Sequence, residues 1–400
     1  MHPGSTILER EERQILAVGG FLFLVVILGG CWLSRPAAEI RIALMAPLSG
    51  PLHEGIGRPA LEGAELAIEL RNEAGDFRIG GKRTRLTLLP ADDENHPETA
   101  LSVVRKLINQ DQVVGVVGPL LSRTALVAAP VAENLETPMI SPTATTPQLT
   151  QGRRFVFRTT FVDRVQGEAM ARFARQELKA DRAAMLYDVA SPYHRGVADG
   201  FRRTFTDLGG KISSLETYTT GALDFRPHLE RIHESSPDVL LLPNYIDEVP
   251  LQVRQAREAG VTATFLGSDS WDGDVFPDQK EFEGAYFVDD WQFGVPEIET
   301  EASRRFEELY RARYGRTPSS IAAVVFDACE LLLDAIEAAG NSSGVEVGRA
   351  LSNRQGYAAV SGTLSFHGKG DPPRSVFLYE IRGGRTVFRQ EIPPLPRELP

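Results

Sequence analysis

From residue 40 onward, short apolar runs alternate with segments whose apolar residues recur at helical spacing. Runs such as residues 40–45 and 113–117 are typical of buried parallel strands, whereas Pro97–Asn109 between them buries one face of a helix. Because parallel strands need crossover connections, this order predicts a parallel sheet with helices on both faces. The alternation starts afresh at the helix predicted over residues 165–178, so we expect two such sheets.

The pattern changes after Trp291. Two long helices, predicted over residues 298–314 and 320–339, follow each other without an intervening strand. Residues 375–381 and 385–389 then flank a Gly-Gly turn, which predicts a hairpin. The last ten residues, 391–400, are rich in proline and are expected to form a loose tail.

The N-terminal segment is distinct from the rest of the chain. Residues 15–33 carry no charge, and residues 15–28 have the length of a signal-peptide core. They end in Leu28-Gly29-Gly30-Cys31, which resembles the lipobox of bacterial lipoproteins and so implies cleavage before Cys31 and acylation of its thiol. An uncleaved membrane anchor is the alternative, since the whole run could just span a bilayer. Residues 1–30 are therefore expected to be a signal peptide or anchor of a periplasmic or cell-surface protein.

Charge and cysteine content exclude several classes of function. Acidic residues number 54 against 43 basic ones, a net charge of −11, which argues against a nucleic-acid partner. Cys31 and Cys329 are the two cysteines, so the exported part has no disulfide framework once Cys31 is acylated. Cys329 lies in an apolar helical stretch and is expected to be buried rather than nucleophilic.

The motifs of common enzymes are incomplete. The glycine-containing turn at residues 55–60 lacks the third glycine of a dinucleotide site, and residues 80–82 do not form a phosphate loop. No G-x-S-x-G elbow occurs, and the seven histidines are scattered. We therefore expect no enzymatic activity, no cofactor and no metal ion.

Two loops are rich in hydroxyl side chains. Ser122, after the apolar run of residues 113–117, is predicted to cap a helix over residues 122–135, and a second loop covers residues 141–147. A helix N-terminus beside such a loop offers N–H and O–H donors to an anion such as a carboxylate. A plain proline-containing turn is the alternative for the second loop.

Several stretches together resemble the type I periplasmic binding proteins for leucine, isoleucine and valine, the receptors of branched-chain amino-acid ABC importers. They run in family order and cover residues 42–51, 113–122, 137–150, 188–196, 237–245, 255–269 and 360–371. The resemblance implies an α/β fold of two Rossmann-like lobes, with mainly parallel sheets and a hinge of three chain crossings. The implied lobes are residues 39–160 with 291–358, and residues 161–290 with 359–390.

In the first lobe, the resemblance implies three ligand-binding positions. Ser122 and Thr145 match hydroxyls that bind the ligand carboxylate, and Thr143 matches a residue whose carbonyl faces the ligand ammonium. The family has a disulfide where this chain has Asn95 and Leu121, so that crosslink is expected to be missing.

In the second lobe, Tyr193 and Tyr245 match aromatic residues that close over the ligand, and Asp269 matches an acid that pairs with the α-ammonium. Aspartate stands here where leucine-type receptors have glutamate. Trp271 has two possible roles: it forms a wall of the pocket for the ligand's side chain, or it covers an edge of the sheet. Two arginines of the first lobe, Arg58 and Arg123, are expected at the surface; the alternative is that one of them reaches into the cleft.

The implied function is that of a receptor that binds an amino acid, an amide or a short carboxylate between its lobes and delivers it to an ABC permease. The lobes would close because the ligand contacts both of them. A tethered sensory or envelope-regulatory module of the same fold, acting on a protein partner, is the alternative, because a fold alone does not decide function.

Overall fold

The computed structural model describes residues 38–271 and 280–394. Its strands are β1 (Ala38–Ala46), β2 (Arg78–Ile79), β3 (Lys82–Asp92), β4 (Gly115–Val117), β5 (Met139–Ser141), β6 (Val156–Arg158), β7 (Arg182–Asp188), β8 (Lys211–Tyr218), β9 (Val239–Leu241), β10 (Thr264–Leu266), β11 (Tyr286–Asp289), β12 (Tyr357–Ala359), β13 (Gly362–Leu364), β14 (Val376–Arg382) and β15 (Arg385–Ile392). Its α-helices are α1 (Arg58–Ala74), α2 (Pro97–Asn109), α3 (Ser122–Asn134), α4 (Asp163–Gln176), α5 (Pro192–Asp207), α6 (Arg226–Glu234), α7 (Val249–Glu258), α8 (Glu301–Tyr314), α9 (Ser320–Ala339) and α10 (Gly344–Ser352).

The first sheet has the strand order β2-β3-β1-β4-β5-β6 and is parallel except for the short β2 at its edge. Alternate residues of β1 face opposite sides of this sheet. Ile42 and Leu44 pack with apolar residues of α1 and α9, whereas Ala43 and Met45 pack with those of α2 and α3. Both faces are thus covered, as the continuous apolar runs predicted.

The second sheet has the order β15-β14-β11-β10-β9-β7-β8, with β14 and β15 antiparallel to the strands beside them. Ala184 and Leu186 of β7 pack with α6 and α7 on one face, whereas Ala183 and Met185 pack with α4 on the other. We call the first sheet with its helices the first lobe and the second sheet with its helices the second lobe.

The chain crosses between the lobes after β6, after β11 and before β14. Two hydrogen bonds hold the crossings in place. The Thr160 hydroxyl of the first crossing donates to Asp290 Oδ2 of the second over 2.6 Å, and Arg374 Nη2 of the third donates to the carbonyl of Ser361, between β12 and β13, over 3.0 Å. Asp327 of α9 accepts from the backbone N–H groups of Val360 and Ser361. This network ties the hinge to a long helix of the first lobe.

Several elements differ from the sequence prediction. Strand β11, helix α10 and the β12–β13 pair were not predicted, because each is too short to show a clear period. The terminal hairpin was predicted and is present, and Cys329 is buried as expected. Where the structure describes the chain, no helix is long and apolar enough to cross a bilayer. The predicted signal peptide or anchor with Cys31, and most of the predicted loose tail, lie outside the described residues.

Candidate functional site

The two hydroxyl-rich loops of the first lobe lie side by side. Strands β4 and β5 are parallel neighbours, so the loops that follow them meet at the same sheet edge. The Thr143 hydroxyl donates to the Leu120 carbonyl over 2.7 Å and joins the two loops. From below, the buried guanidinium of Arg158 donates to the carbonyls of Ala144 and Thr146 over 2.8 and 2.7 Å. These hydrogen bonds within the protein hold the two loops in position.

Ser122 begins helix α3 instead of capping it. Leu121 occupies the N-cap position with extended backbone angles and provides no side-chain cap. The predicted capping role of Ser122 is therefore wrong. The physical reason is that the extended turn ends one residue earlier, at Leu121, so Ser122 is the first residue of the helix and lines the cleft.

The second lobe contributes two stacked tyrosines. Tyr193 lies in the first turn of α5, and Tyr245 follows β9. Their ring centroids are 5.3 Å apart, and the ring planes differ by 12°. The Tyr193 hydroxyl lies 2.7 Å from Ser268 Oγ and also makes a short hydrogen bond to Asp269 Oδ1. One tyrosine thus orients the acid while its ring forms a wall.

Asp269 stands just beyond the carboxyl end of β10, as the rule for open α/β sheets expects. Its backbone N–H donates to Gln166 Oε1 over 3.1 Å. Burial raises the pKa of its carboxyl group to about 7, which the hydrogen bond from Tyr193 opposes and the nearby charge of Asp290 reinforces. A cationic partner would stabilise the ionised form of this group.

A cleft between the lobes brings most of the predicted residues together. Its lining comprises Ile56, Leu120, Leu121, Ser122, Thr143, Tyr193, Tyr245, Asp269, Ser270, Asp289, Asp290, Ser320, Ile321 and Val324. Five of the six predicted site residues are among them. The sixth, Thr145, lies beneath the loop: its buried hydroxyl has no hydrogen-bond partner, and its carbonyl accepts from Asp163 N over 2.9 Å. A role for Thr145 in holding a carboxylate stays a prediction.

The sequence reading missed the cleft residues of the hinge region. Asp289 is the last residue of the unpredicted strand β11, and Asp290 follows it. Ser320, Ile321 and Val324 come from the first turns of α9. The sequence did contain a signal for the two acids. They directly follow the apolar residues Phe287 and Val288, and residues just beyond a strand's carboxyl end are where open α/β sheets bind ligands.

Trp271 packs into the apolar core of the second lobe. Trp271 is buried against Phe282 and Phe287 and donates its indole N–H to the Leu242 carbonyl over 3.1 Å, so it belongs to the core and not to the cleft lining. Its aromatic surface covers the second sheet.

The two arginines differ in position. Arg58 pairs with Glu54 over 3.0 Å, and its side chain is 41% exposed, as expected for a surface residue. Arg123 is only 16% exposed, so its predicted place at the surface is wrong. Its guanidinium lies 3.6 Å from Asp188 Oδ2 and 5.8 Å from the ring centroid of Tyr245, both in the second lobe. The contact between lobes buries it.

The arrangement suits binding better than chemistry. Ser122, at the N-terminus of α3, and Thr143 line the cleft from the first lobe, and Asp269 lines it from the second lobe. Within residues 38–271 and 280–394, no group of three or more histidine, cysteine, aspartate or glutamate side chains could hold a metal ion. Opposed donor and acceptor groups of this kind can grip a dipolar molecule.

Comparison with known proteins defines the class. The model of the family described as periplasmic binding protein matches residues 39–385, so the chain belongs to that family. These proteins are solute-binding receptors that act outside the cytoplasm, not enzymes. The predicted fold of two lobes and the resemblance to the leucine, isoleucine and valine receptors are both confirmed.

Individual relatives cover almost the whole chain. The Leu/Ile/Val-binding protein homolog 1 of Brucella abortus is 30% identical over 366 residues, which are 90% of this chain and 94% of that protein. The leucine-binding protein LivK of Thermotoga maritima superimposes with a TM-score of 0.80 at 30% identity, over 90% of this chain and 100% of that one. LivJ of Streptococcus pneumoniae, solved with isoleucine, gives 0.81 at 29% identity, over 89% and 100%.

Proposed function

We propose that the protein is an extracytoplasmic receptor that binds an amino acid as a zwitterion in the cleft between its lobes. The observation that carries this proposal is the opposition of Ser122 and Thr143 in the first lobe to Tyr193 and Asp269 in the second. The ligand carboxylate binds at the Ser122 hydroxyl and at the N-terminus of α3, and the ammonium binds at Asp269 and at the Thr143 carbonyl.

Ligand binding favours the closed arrangement of the lobes, because the two charged ends of the ligand are satisfied together only when both lobes contact it. The three crossings between the lobes serve as the hinge. The relatives named for leucine, isoleucine and valine support an amino-acid ligand, and none of them supports the regulatory alternative.

A thermal-shift screen tests the proposal. The purified protein is stripped of bound ligand and mixed with each amino acid, and the most effective one is compared with its deaminated and decarboxylated analogues. We expect the amino acid to raise the melting temperature, since a ligand at 100 times its dissociation constant stabilises the fold by about 2.7 kcal/mol. Neither analogue should match it. If no amino acid stabilises the protein, or if the deaminated analogue is equally effective, the proposal fails.

We further propose delivery of the ligand to an ABC permease, with anchoring through an acylated Cys31. The lipobox-like residues Leu28-Gly29-Gly30-Cys31 support the anchor, and family membership supports the permease. Radiolabelled palmitate should be incorporated into the wild-type protein but not into Cys31→Ala expressed in the same bacterium. Labelling of the variant at the wild-type level would refute acylation at Cys31.

A further inference from the structure

The charges that line the cleft are unbalanced. Asp269, Asp289 and Asp290 contribute three carboxyl groups, and among the cleft-lining residues of the described chain there is no lysine, arginine or histidine. Apolar side chains form much of the remaining lining, among them Leu121 and Ile321. The α-ammonium of a simple amino acid would compensate one carboxylate and leave the others as they are.

Asp289 is already satisfied within its own segment. Its Oδ1 accepts from the backbone N–H of Asp290 over 2.7 Å, and its Oδ2 accepts from Gln292 Nε2 over 3.2 Å. Both oxygens therefore have donors, and we assign no ligand contact to this side chain.

Asp290 is only half satisfied. It is 5% exposed, its Oδ2 accepts from the Thr160 hydroxyl, and its Oδ1 has no hydrogen-bond partner. Nη2 of Arg374 lies 3.9 Å from Oδ1, beyond hydrogen-bond range, and donates instead to the Ser361 carbonyl. A buried carboxylate oxygen without a donor is costly, so this atom has an unfilled place for one.

The charge of Asp290 also reaches the acid that is proposed to hold the ammonium. The charge of Asp290 raises the pKa of Asp269. Burial raises the pKa of Asp290, while Arg374, the Thr160 hydroxyl and the backbone N–H of Phe161 oppose that shift. A ligand with two positive groups would stabilise both ionised carboxylates, because Asp269 would gain a cation and Oδ1 of Asp290 would gain the hydrogen-bond donor that Arg374 does not supply.

We propose that the preferred ligand is an amino acid with a second cationic nitrogen at the end of its side chain, of the lysine, ornithine or arginine type. Asp269 holds its α-ammonium, and Oδ1 of Asp290 accepts a hydrogen bond from the side-chain cation. The methylene stem packs against the apolar lining at Leu121, Ile321 and Val324. This inference rests on the proposed amino-acid function and makes Asp290 the residue that determines specificity.

Lysine and norleucine provide the test, since they share a four-carbon stem and differ mainly in the terminal amine. Isothermal titration calorimetry on the stripped full chain should give at least tenfold tighter binding of lysine than of norleucine. At pH 8, where Asp269 is largely ionised in both proteins, Asp290→Asn should bring that ratio close to one by weakening the binding of lysine much more than the binding of norleucine. Asp199→Asn, which removes the same charge from a 53% exposed side chain on α5, should keep the wild-type ratio.

Other results overturn the inference. If wild-type protein binds norleucine as tightly as lysine, the second cation is not recognised, and this comparison holds even if Asp290→Asn does not fold. If Asp290→Asn weakens both ligands by the same factor, Asp290 supports the hinge or the α-ammonium and does not select the side chain. Binding of leucine without preference for lysine would refute only this inference, whereas failure of all amino acids to bind would refute the proposed function as well.

Discussion

Replacing Asp269 by asparagine keeps the shape of the side chain but removes its charge. If Asp269 holds the ligand ammonium, the variant loses a charge-assisted hydrogen bond of about 1.5–3 kcal/mol. Such a loss corresponds to about 10- to 150-fold weaker binding of leucine at pH 8. The analogue 4-methylpentanoate has no ammonium group, so its affinity should change little.

The pH dependence of leucine binding gives a second, independent prediction. With a pKa of about 7, about one tenth of the Asp269 carboxyl groups is ionised at pH 6 and about nine tenths at pH 8. An ammonium binds the ionised form, so leucine should bind wild-type protein about tenfold more tightly at pH 8 than at pH 6. Burial also raises the pKa of Asp163 to about 8, so both groups titrate in this range. The comparison with Asp269→Asn isolates the part of the pH dependence of binding that comes from Asp269.

Isothermal titration calorimetry at pH 6, 7 and 8, on wild type and Asp269→Asn, measures both effects. The variant should show a much flatter pH profile, and Asp199→Asn should retain the wild-type profile. The reasoning is refuted if Asp269→Asn weakens leucine and 4-methylpentanoate equally, or if wild-type affinity does not change between pH 6 and pH 8.

Three further substitutions test the structure around the site. Arg123→Met removes the contact of the guanidinium with Asp188 and the Tyr245 ring across the lobes, so calorimetry should show about 2- to 30-fold weaker binding of leucine. Arg58→Met should bind leucine as the wild type does. If Arg123→Met also binds leucine with wild-type affinity, Arg123 has no role in closure. Arg158→Met leaves the carbonyls of Ala144 and Thr146 without donors, so urea unfolding should show a free energy of unfolding that is lower by about 2–4 kcal/mol. An unchanged urea midpoint would show that these hydrogen bonds do not hold the loop. Gly63→Ala would place a methyl group 2.3 Å from the Ala322 carbonyl oxygen, between α1 and α9. It should lower the free energy of unfolding by about 1–3 kcal/mol in the same assay. Glu73→Ala, on the exposed face of α1, should change that free energy little.

The sequence alone predicted the local elements and the class of fold. Periodicity depends on neighbouring residues, so helix α2, predicted over Pro97–Asn109, was located to the residue. The rule that ligands bind at the carboxyl ends of strands placed the hydroxyl loops and Asp269 at one site. Where an element was too short to show a period, as in β11, the acids at its end escaped notice.

Tertiary structure decided what meets across the cleft and the hinge. Thr160 and Asp290 are 130 residues apart, and Arg123 faces Asp188 from the other lobe, so no local pattern marks either pair. Their contacts depend on how two separately packed sheets are joined by three crossings. Burial then changes the chemistry: the same aspartate is an ordinary acid in an exposed loop but has a pKa near neutrality when it is enclosed with a second carboxylate.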